Sequence, residues 1–230
     1  MHAFTNTQFR NSYVSICLLL KAIMNQIGRL IKVNAVFFTC FLLVLILSLY
    51  IELTHDKQSA FIFLNPLHNS LLDHTFVFFT ILGNGWIMVI VSLVCFLFKK
   101  KKLSLLVLTS FLLSGLIAQV LKYFYPEARP AIFFEHSNYH YFITNITLNS
   151  STSFPSGHTA SAFAFAGVLA FYFRNKWLSL PLFLYACLVG YSRIYIGDHF
   201  LDDVIWGAVI GLASAMVCFL YLTGRKKRSP

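Results

Sequence analysis

The chain has 230 residues, 58% of them hydrophobic and 11% charged, with 25 phenylalanines and a formal net charge of +10. Typical soluble domains carry about 25% charged residues, so this composition excludes a disordered chain, a solvated repeat array and an ordinary cytosolic enzyme. With a mean hydropathy of +0.72, the solvent for most of the apolar surface is lipid, and basic residues set in short runs between apolar stretches indicate membrane topology rather than nucleic-acid binding.

Residues 1–32 precede the first strong apolar stretch. Within 13–32, at about 100° per residue, Lys21, Asn25, Gly28, Arg29 and Lys32 share one face, while Leu20, Ile23, Met24, Ile27, Leu30 and Ile31 cover the rest. This pattern predicts an amphipathic helix lying on the cytoplasmic leaflet, cations toward anionic headgroups; the alternative is a plain extension of the first span. No small-residue cleavage site follows, so no cleaved signal peptide is expected.

A bilayer core about 30 Å thick takes roughly 20 apolar helical residues. Six stretches qualify or nearly do: Val33–Ile51, Thr75–Phe98, Leu103–Leu121, Ser156–Phe173, Trp177–Ser192 and Val204–Gly224, none containing Asp, Glu, Lys or Arg. The second is interrupted at Gly83-Asn84-Gly85 and reads as a short interfacial helix followed by the span proper. The fifth is short and needs help from residues 193–197. The predicted fold is all-α: a six-helix transmembrane bundle over 33–224, between an amphipathic segment 1–32 and a basic cytoplasmic tail 225–230.

Lys/Arg placement orients the bundle. With both termini in the cytoplasm, Arg10, Lys21, Arg29, Lys32, Lys99–Lys102, Arg174, Lys176 and Arg225–Arg228 all lie inside. All eight acids lie outside, with Lys57, Lys122, Arg129 and Arg193. The last three of these cations resist the trend and need another explanation.

Gly207 and Gly211 form a GxxxG, and Ala162 and Ala166 a second small-residue pair; both permit close helix approach, inside the bundle rather than at a dimer seam. The longest outside connection, 126–155, carries Phe133, Phe134, Tyr139, Tyr141 and Phe142, which suit a cap at headgroup depth. Asn145 and Asn149 begin triplets of the glycosylation acceptor pattern, which matter only in a secretory-pathway host. The five cysteines are odd in number, lie in apolar context and have neither metal-ligand spacing nor a disulfide framework.

Three clusters stand at outer span ends: Lys122 to Pro130, Pro155 to His158, and Ser192 to Asp203. Together they supply the inventory of a phosphate site without metal. Arg129 and Arg193 offer bidentate forks and Lys122 a point charge. Pro155 before Ser156-Gly157-His158 marks a helix start whose free N–H groups favour an anion. Gly157 permits close backbone approach, and Ser156 either caps the helix or donates to the same oxygen. His199 and Asp203, four apart, share a helix face; an Asp on one ring nitrogen leaves the other as a nucleophile. Asp202, three apart, is the rival partner. His158 has no such partner and suits a general acid and base. His55, His68, His74, His136 and His140 lack a motif and read as structural, although His136 or His140 has the loop length to reach a substrate.

The order Lys-x6-Arg-Pro, Pro-Ser-Gly-His and Ser-Arg-x5-His-x3-Asp resembles the tripartite signature of the type 2 phosphatidic acid phosphatase (PAP2) superfamily, which includes membrane lipid phosphatases and soluble vanadium haloperoxidases. Lys122, Arg129, Pro130, Pro155, Ser156, Gly157, His158, Ser192, Arg193, His199 and Asp203 carry it, and it covers 103–224 closely. The resemblance implies a phosphatase without metal or other cofactor, with its site on the non-cytoplasmic side. It implies His199 as the phosphorylated nucleophile oriented by Asp203, His158 as acid and base, and Lys122, Arg129, Ser156, Gly157 and Arg193 as phosphate ligands. Glu127, Asp198 and Asp202 add negative charge inside the clusters and would oppose an anionic substrate unless turned away or paired.

The expected partner is a lipid phosphate or diphosphate in the membrane: phosphatidic acid, phosphatidylglycerol phosphate, undecaprenyl diphosphate or lipid A phosphate. The compact size and outward site suggest a bacterial inner membrane. The alternatives are a lipid phosphotransferase using the same phosphohistidine, a haloperoxidase, which six lipid-length spans argue against, and a non-catalytic lipid transporter, which intact His158, His199 and Asp203 argue against.

Overall fold

The computed structural model describes residues 2–66, 68–135, 139 and 152–224, with the side chains of 2–16 and of residue 19 excepted. The predicted tail 225–230, His136, His140, Tyr141, Phe142, Asn145 and Asn149 lie outside the described residues.

The described residues form ten helices: α1 His2–Val33, α2 Ala35–Thr54, α3 Lys57–Leu64, α4 Ser70–Leu82, α5 Gly85–Leu97, α6 Lys101–Phe124, α7 Pro130–Phe133, α8 Gly157–Phe173, α9 Lys176–Tyr195 and α10 Leu201–Gly224. Four of them, α2, α6, α9 and α10, are long and apolar enough to cross a membrane. The pair α4 and α5, bent by 55° at Gly83-Asn84, counts as a fifth span when taken together. This is an integral membrane fold with four to five candidate spans by length and composition. The bend falls at the predicted interruption, but α5 alone, 13 residues and about 20 Å at 1.5 Å per residue, is too short for a span proper. The predicted fourth span, α8, has 17 residues, about 25 Å against a core of about 30 Å.

Local chemistry sets the boundaries. Asn69, Asn84 and Asn175 cap α4, α5 and α9 by accepting from backbone N–H groups. α1 breaks from α2 at buried Asn34, whose side-chain amide donates to the Leu30 carbonyl. α3, absent from the sequence reading, starts at Asp56, which accepts from the Ser59 N–H at 2.7 Å.

The core lies between α8, α9 and α10, with α6 packed against α8 and α10. Gly207 and Gly211 decide how close α10 comes to α8. A Cβ on Gly207 would stand 2.6 Å from the Ser156 carbonyl oxygen, and one on Gly211 2.3 Å from that of Ala160. The GxxxG is therefore a packing seam within the bundle, and it draws the start of α10 onto the start of α8, where the Ser156 N–H donates to the Asp203 carbonyl at 3.0 Å. A second cluster joins Phe61 of α3 to Phe134, Phe200, Ile194, Leu201 and Ile205. Phe134 is thus core rather than a headgroup-level cap, whereas Phe133 is exposed.

Candidate active site

The site forms where α6 and α9 end and α8 and α10 begin. α9 closes by a reversal: the N–H groups of Asp198 and His199 both donate back to the Arg193 carbonyl, at 3.0 and 3.1 Å. Gly197 takes φ 76° in that turn, a conformation that L side chains rarely adopt. The reversal sets Arg193, Asp198 and His199 side by side. The Ala131 N–H donates to the Gly197 carbonyl at 3.3 Å, which fixes Arg129, the residue before α7, against the same turn.

His199 is 2% exposed. Its Nδ1 lies 3.3 Å from Asp203 Oδ2. That carboxylate is fully buried and also accepts from the Phe200 N–H at 2.8 Å and from the Ser153 hydroxyl at 2.5 Å. Burial pushes the His199 imidazole below its ordinary 6.5, despite the opposing pull of Asp203 and Asp198. A neutral ring with Nδ1 turned to a carboxylate leaves Nε2 as a lone-pair base facing the cavity. Asp202, the rival partner, points away and pairs with Lys57 at 2.9 Å.

The three cations converge differently. Arg129 and Arg193, each 5% exposed, both bond Asp198 Oδ2. Burial alone would raise the Asp198 carboxyl, but the guanidinium groups of Arg193 and Arg129 outweigh it and hold it well below the usual carboxylate range. The Lys122 ammonium donates to the Thr152 and Ser153 carbonyls at 2.7 and 2.9 Å, pinning the strand of chain that carries Ser153. Glu127 and Asp202, the other two intruding acids, are both bonded by Lys57. Burial opposes the charge on Lys57, but these two partners prevail and raise its pKa.

A cavity of about 600 Å³ is lined by Gln119, Lys122, Tyr123, Arg129, Thr152, Gly157, His158, Arg193, Asp198 and His199. A Cβ on Gly157 would meet nothing within 4 Å, so the backbone at the start of α8 is open to this space. Of the sequence-predicted residues, Lys122, Arg129, Gly157, His158, Arg193 and His199 share the cavity wall, with Asp203 behind His199. Ser156 is not in the wall. It is fully buried as the N-cap of α8, accepting from the Thr159 N–H at 3.4 Å and from its hydroxyl at 2.8 Å.

A second cavity of about 430 Å³ shares Gln119, Lys122, Gly157 and His158 with the first and runs on between the α4–α5 bend, α6 and α8. The rest of its wall is mainly apolar or glycine, including Gly83, Gly85, Phe111, Leu112, Gly115 and Leu116. Leu112 and Leu116 are exposed at its rim.

Sequence reasoning missed Ser153 and the bridging role of Lys57. Ser153 sits five residues before His158 outside the three clusters; Lys57 was visible as an outside cation, but nothing in the sequence gave its partners. His68 is structural, its ring 4.4 Å from that of Tyr195 and its Nε2 2.7 Å from Asn65 Oδ1.

Comparison with known proteins identifies the family. The PAP2 superfamily model matches residues 103–227. A lipid A 4'-phosphatase of Porphyromonas gingivalis is 33% identical over 183 residues, 74% of this chain and 75% of that protein. An undecaprenyl-diphosphatase of Sulfolobus acidocaldarius is 30% identical over 177 residues, 74% and 83% of the two chains. The crystal structure of LpxE from Aquifex aeolicus superposes with a TM-score of 0.61 at 33% identity, covering 72% of this chain and 95% of that one. The phosphatidylglycerolphosphate phosphatase of Bacillus subtilis has the same fold, with a TM-score of 0.63 at 24% identity over 85% and 98% of the chains. The chain belongs to the PAP2 superfamily, in its membrane lipid phosphatase branch.

Proposed function

We propose that the protein hydrolyses a lipid phosphate or diphosphate through a phosphohistidine. The observation that carries this reading is the junction of two spaces: a cavity holding three cations and two histidines opens into an apolar groove. A phosphate headgroup suits the first and an acyl or prenyl tail the second. Lipid A phosphate, undecaprenyl diphosphate, phosphatidylglycerol phosphate and phosphatidic acid all have that division.

In this reading His199 Nε2 attacks phosphorus while the ester or anhydride P–O bond breaks, and His158 protonates the departing oxygen. His158 then takes a proton from water; the oxygen attacks phosphorus, the P–N bond breaks, and the lone pair returns to His199. Asp203 holds the ring and stabilises the imidazolium, as Ser153 holds Asp203. Arg129, Arg193 and Lys122 bind the phosphoryl oxygens and the charge that develops on them. The Gly157 backbone faces the same space, and Ser156 serves the site by capping α8. No step needs a metal. Among the described residues Glu127, Asp202 and Asp203 bring ligand oxygens close enough to hold an ion, but the Lys57 ammonium already bonds two of them.

We further infer six spans, with α8 as the short one, both termini cytoplasmic, and α1 lying on the cytoplasmic leaflet of a bacterial inner membrane. Lys101 at the start of α6, Arg174 after α8 and Lys176 at the start of α9 lie at the ends opposite the site, which supports a non-cytoplasmic active site by the positive-inside rule. A short α8 recesses the cavity below the membrane surface, level with a lipid headgroup. The domain division follows: segment 1–32, phosphatase 33–224 with its motif core from 103, and tail 225–230.

The test offers purified protein a panel of the four lipids in detergent, with and without EDTA. Free inorganic phosphate is expected from at least one, unaffected by chelation. Radiolabel recovered only in a second lipid would overturn hydrolysis in favour of transfer.

A further inference from the structure

One oxygen in the cavity has an unusual position. Asp198 Oδ2 is bonded by the Nη1 of Arg129 and the Nη2 of Arg193, and it lies 3.5 Å from His199 Nε2. Both guanidinium groups bond this oxygen directly while the imidazole nitrogen stands farther off, so the carboxylate is held by the arginines. A phosphoryl group under attack by Nε2 must bring its phosphorus to within about 3–3.5 Å of that nitrogen and its oxygens to the same two forks. Carboxylate and phosphoryl group need the same ground.

We propose that Asp198 is an internal competitor for the phosphate cup: its carboxylate neutralises the arginines in the resting protein, and substrate binds by displacing it. This rests on the reading of the cup given above. The displacement has a direction. A carboxylate has one negative charge and two oxygens, whereas a terminal phosphate carries up to two charges and three free oxygens. A phosphodiester headgroup, with one charge and two free oxygens, has no such advantage over Asp198. In a membrane crowded with diester lipids, the aspartate reserves the cup for terminal phosphates. The carboxylate has space to leave, because Asp198 lines the large cavity and follows Gly197 in the turn. The cost of displacement lowers the apparent affinity for any anion by the fraction of cups that stand open.

The experiment is calorimetric titration of the purified, detergent-solubilised protein with inorganic phosphate, which needs no turnover. Asp198→Asn and Asp198→Ser are two neutral variants of different size, so that a folding failure in one leaves the other. Asp56→Asn removes an exposed carboxylate before α3 while keeping a capping side chain. Phosphate is expected to bind about tenfold more tightly to both Asp198 variants and unchanged to Asp56→Asn. Phosphatidylglycerol, a diester, should compete with phosphate in the titration of the Asp198 variants alone. Unchanged or weaker phosphate binding in the Asp198 variants would mean that the carboxylate only braces the arginines, and would overturn the proposal while hydrolysis by the unsubstituted protein stood. Equal tightening in Asp56→Asn would reduce it to general charge. Failure of every protein to bind phosphate would overturn it together with the cup itself.

Discussion

Two ion clusters sit on neighbouring parts of the fold with opposite signs. In one, Arg129 and Arg193 surround the single carboxylate of Asp198, with side chains 5–7% exposed. In the other, Glu127 and Asp202 surround the single ammonium of Lys57, with side chains 27–40% exposed. The first keeps surplus positive charge on buried side chains, where each unpaired ion costs several kcal/mol. Such an arrangement suits the anion proposed to bind there. The second carries surplus negative charge where water screens it, and its work is to tie α3 to α10 and to the chain after α6. Buried surplus charge marks the chemistry; half-exposed surplus charge marks the frame.

Substitutions separate the two clusters. The largest effect is expected for His199→Ala, which removes the proposed nucleophile against which the inner cluster is built. Phosphate release should fall to background in a protein that still elutes as a folded species in detergent; appreciable turnover would end the phosphohistidine reading. Arg193→Lys keeps the inner charge but loses the planar fork. A loss of about 100-fold in kcat/KM is expected, the range for removing one fixed donor from a developing oxyanion. A Lys variant within threefold of the parent would show that charge alone, not fork geometry, holds the phosphate.

Ser153→Ala comes next. The Ser153 hydroxyl donates to Asp203 Oδ2, and Asp203 Oδ1 has no partner among the described residues. Removing the hydroxyl strips a buried carboxylate of one donor, worth about 1–3 kcal/mol. The expected result is a roughly tenfold fall in kcat with KM little changed, since Ser153 acts on the ring rather than on the substrate. The pH response tests the same triad. His199 binds its proton less tightly folded than unfolded, so below pH 6.5 the unfolded chain holds more protons and acid favours unfolding. This contribution to stability is complete above the unfolded value and is lost as pH falls toward the folded one. The melting temperature should drop on acidification below 6.5, with a shallower slope in His199→Gln. Equal slopes would mean that His199 is not held neutral.

How much of this was legible in the sequence follows the same division. The meeting of Lys122, Arg129, Gly157, His158, Arg193 and His199 on one cavity wall was readable because their three clusters stand at span ends on one side, and His199 with Asp203 is a local pair. The break at Gly83-Asn84 was readable because it interrupts an apolar run. Lys57 was not, because its partners lie 70 and 145 residues away, and a lone outside lysine has no spacing to read. Ser153 acts on Asp203 from 50 residues away. Ser156 had two readings in sequence, cap or ligand, and only its burial separates them. α3 was hidden because eight residues carry too little periodicity, and what holds it in place, Phe61 against Phe134 and Phe200, is tertiary. α2 carried a strong span signal and almost no packing information, since only 6% of its apolar window is buried against 56% for α10; one lipid-facing residue serves as well as another.

The smallest effect is expected at Lys57, and it tests the comparison most directly. Lys57→Met keeps an unbranched apolar side chain and removes the ammonium, together with its cation–π contact 4.8 Å over the Phe200 ring. Half-exposed pairs contribute about 0–1 kcal/mol each, so the melting temperature should move by a few degrees at most. Glu127 and Asp202 then lose their counter-ion, and for an anion bound in the proposed cup KM should rise about twofold to threefold through long-range repulsion. Because these charges are in reach of salt, the rise should vanish near 1 M, where the screening length is about 3 Å. Repulsion of this kind changes encounter and binding, not the chemical step, so kcat should hold. A kcat loss, or a KM rise indifferent to salt, would place Lys57 inside the machinery and erase the line between receiving cluster and frame.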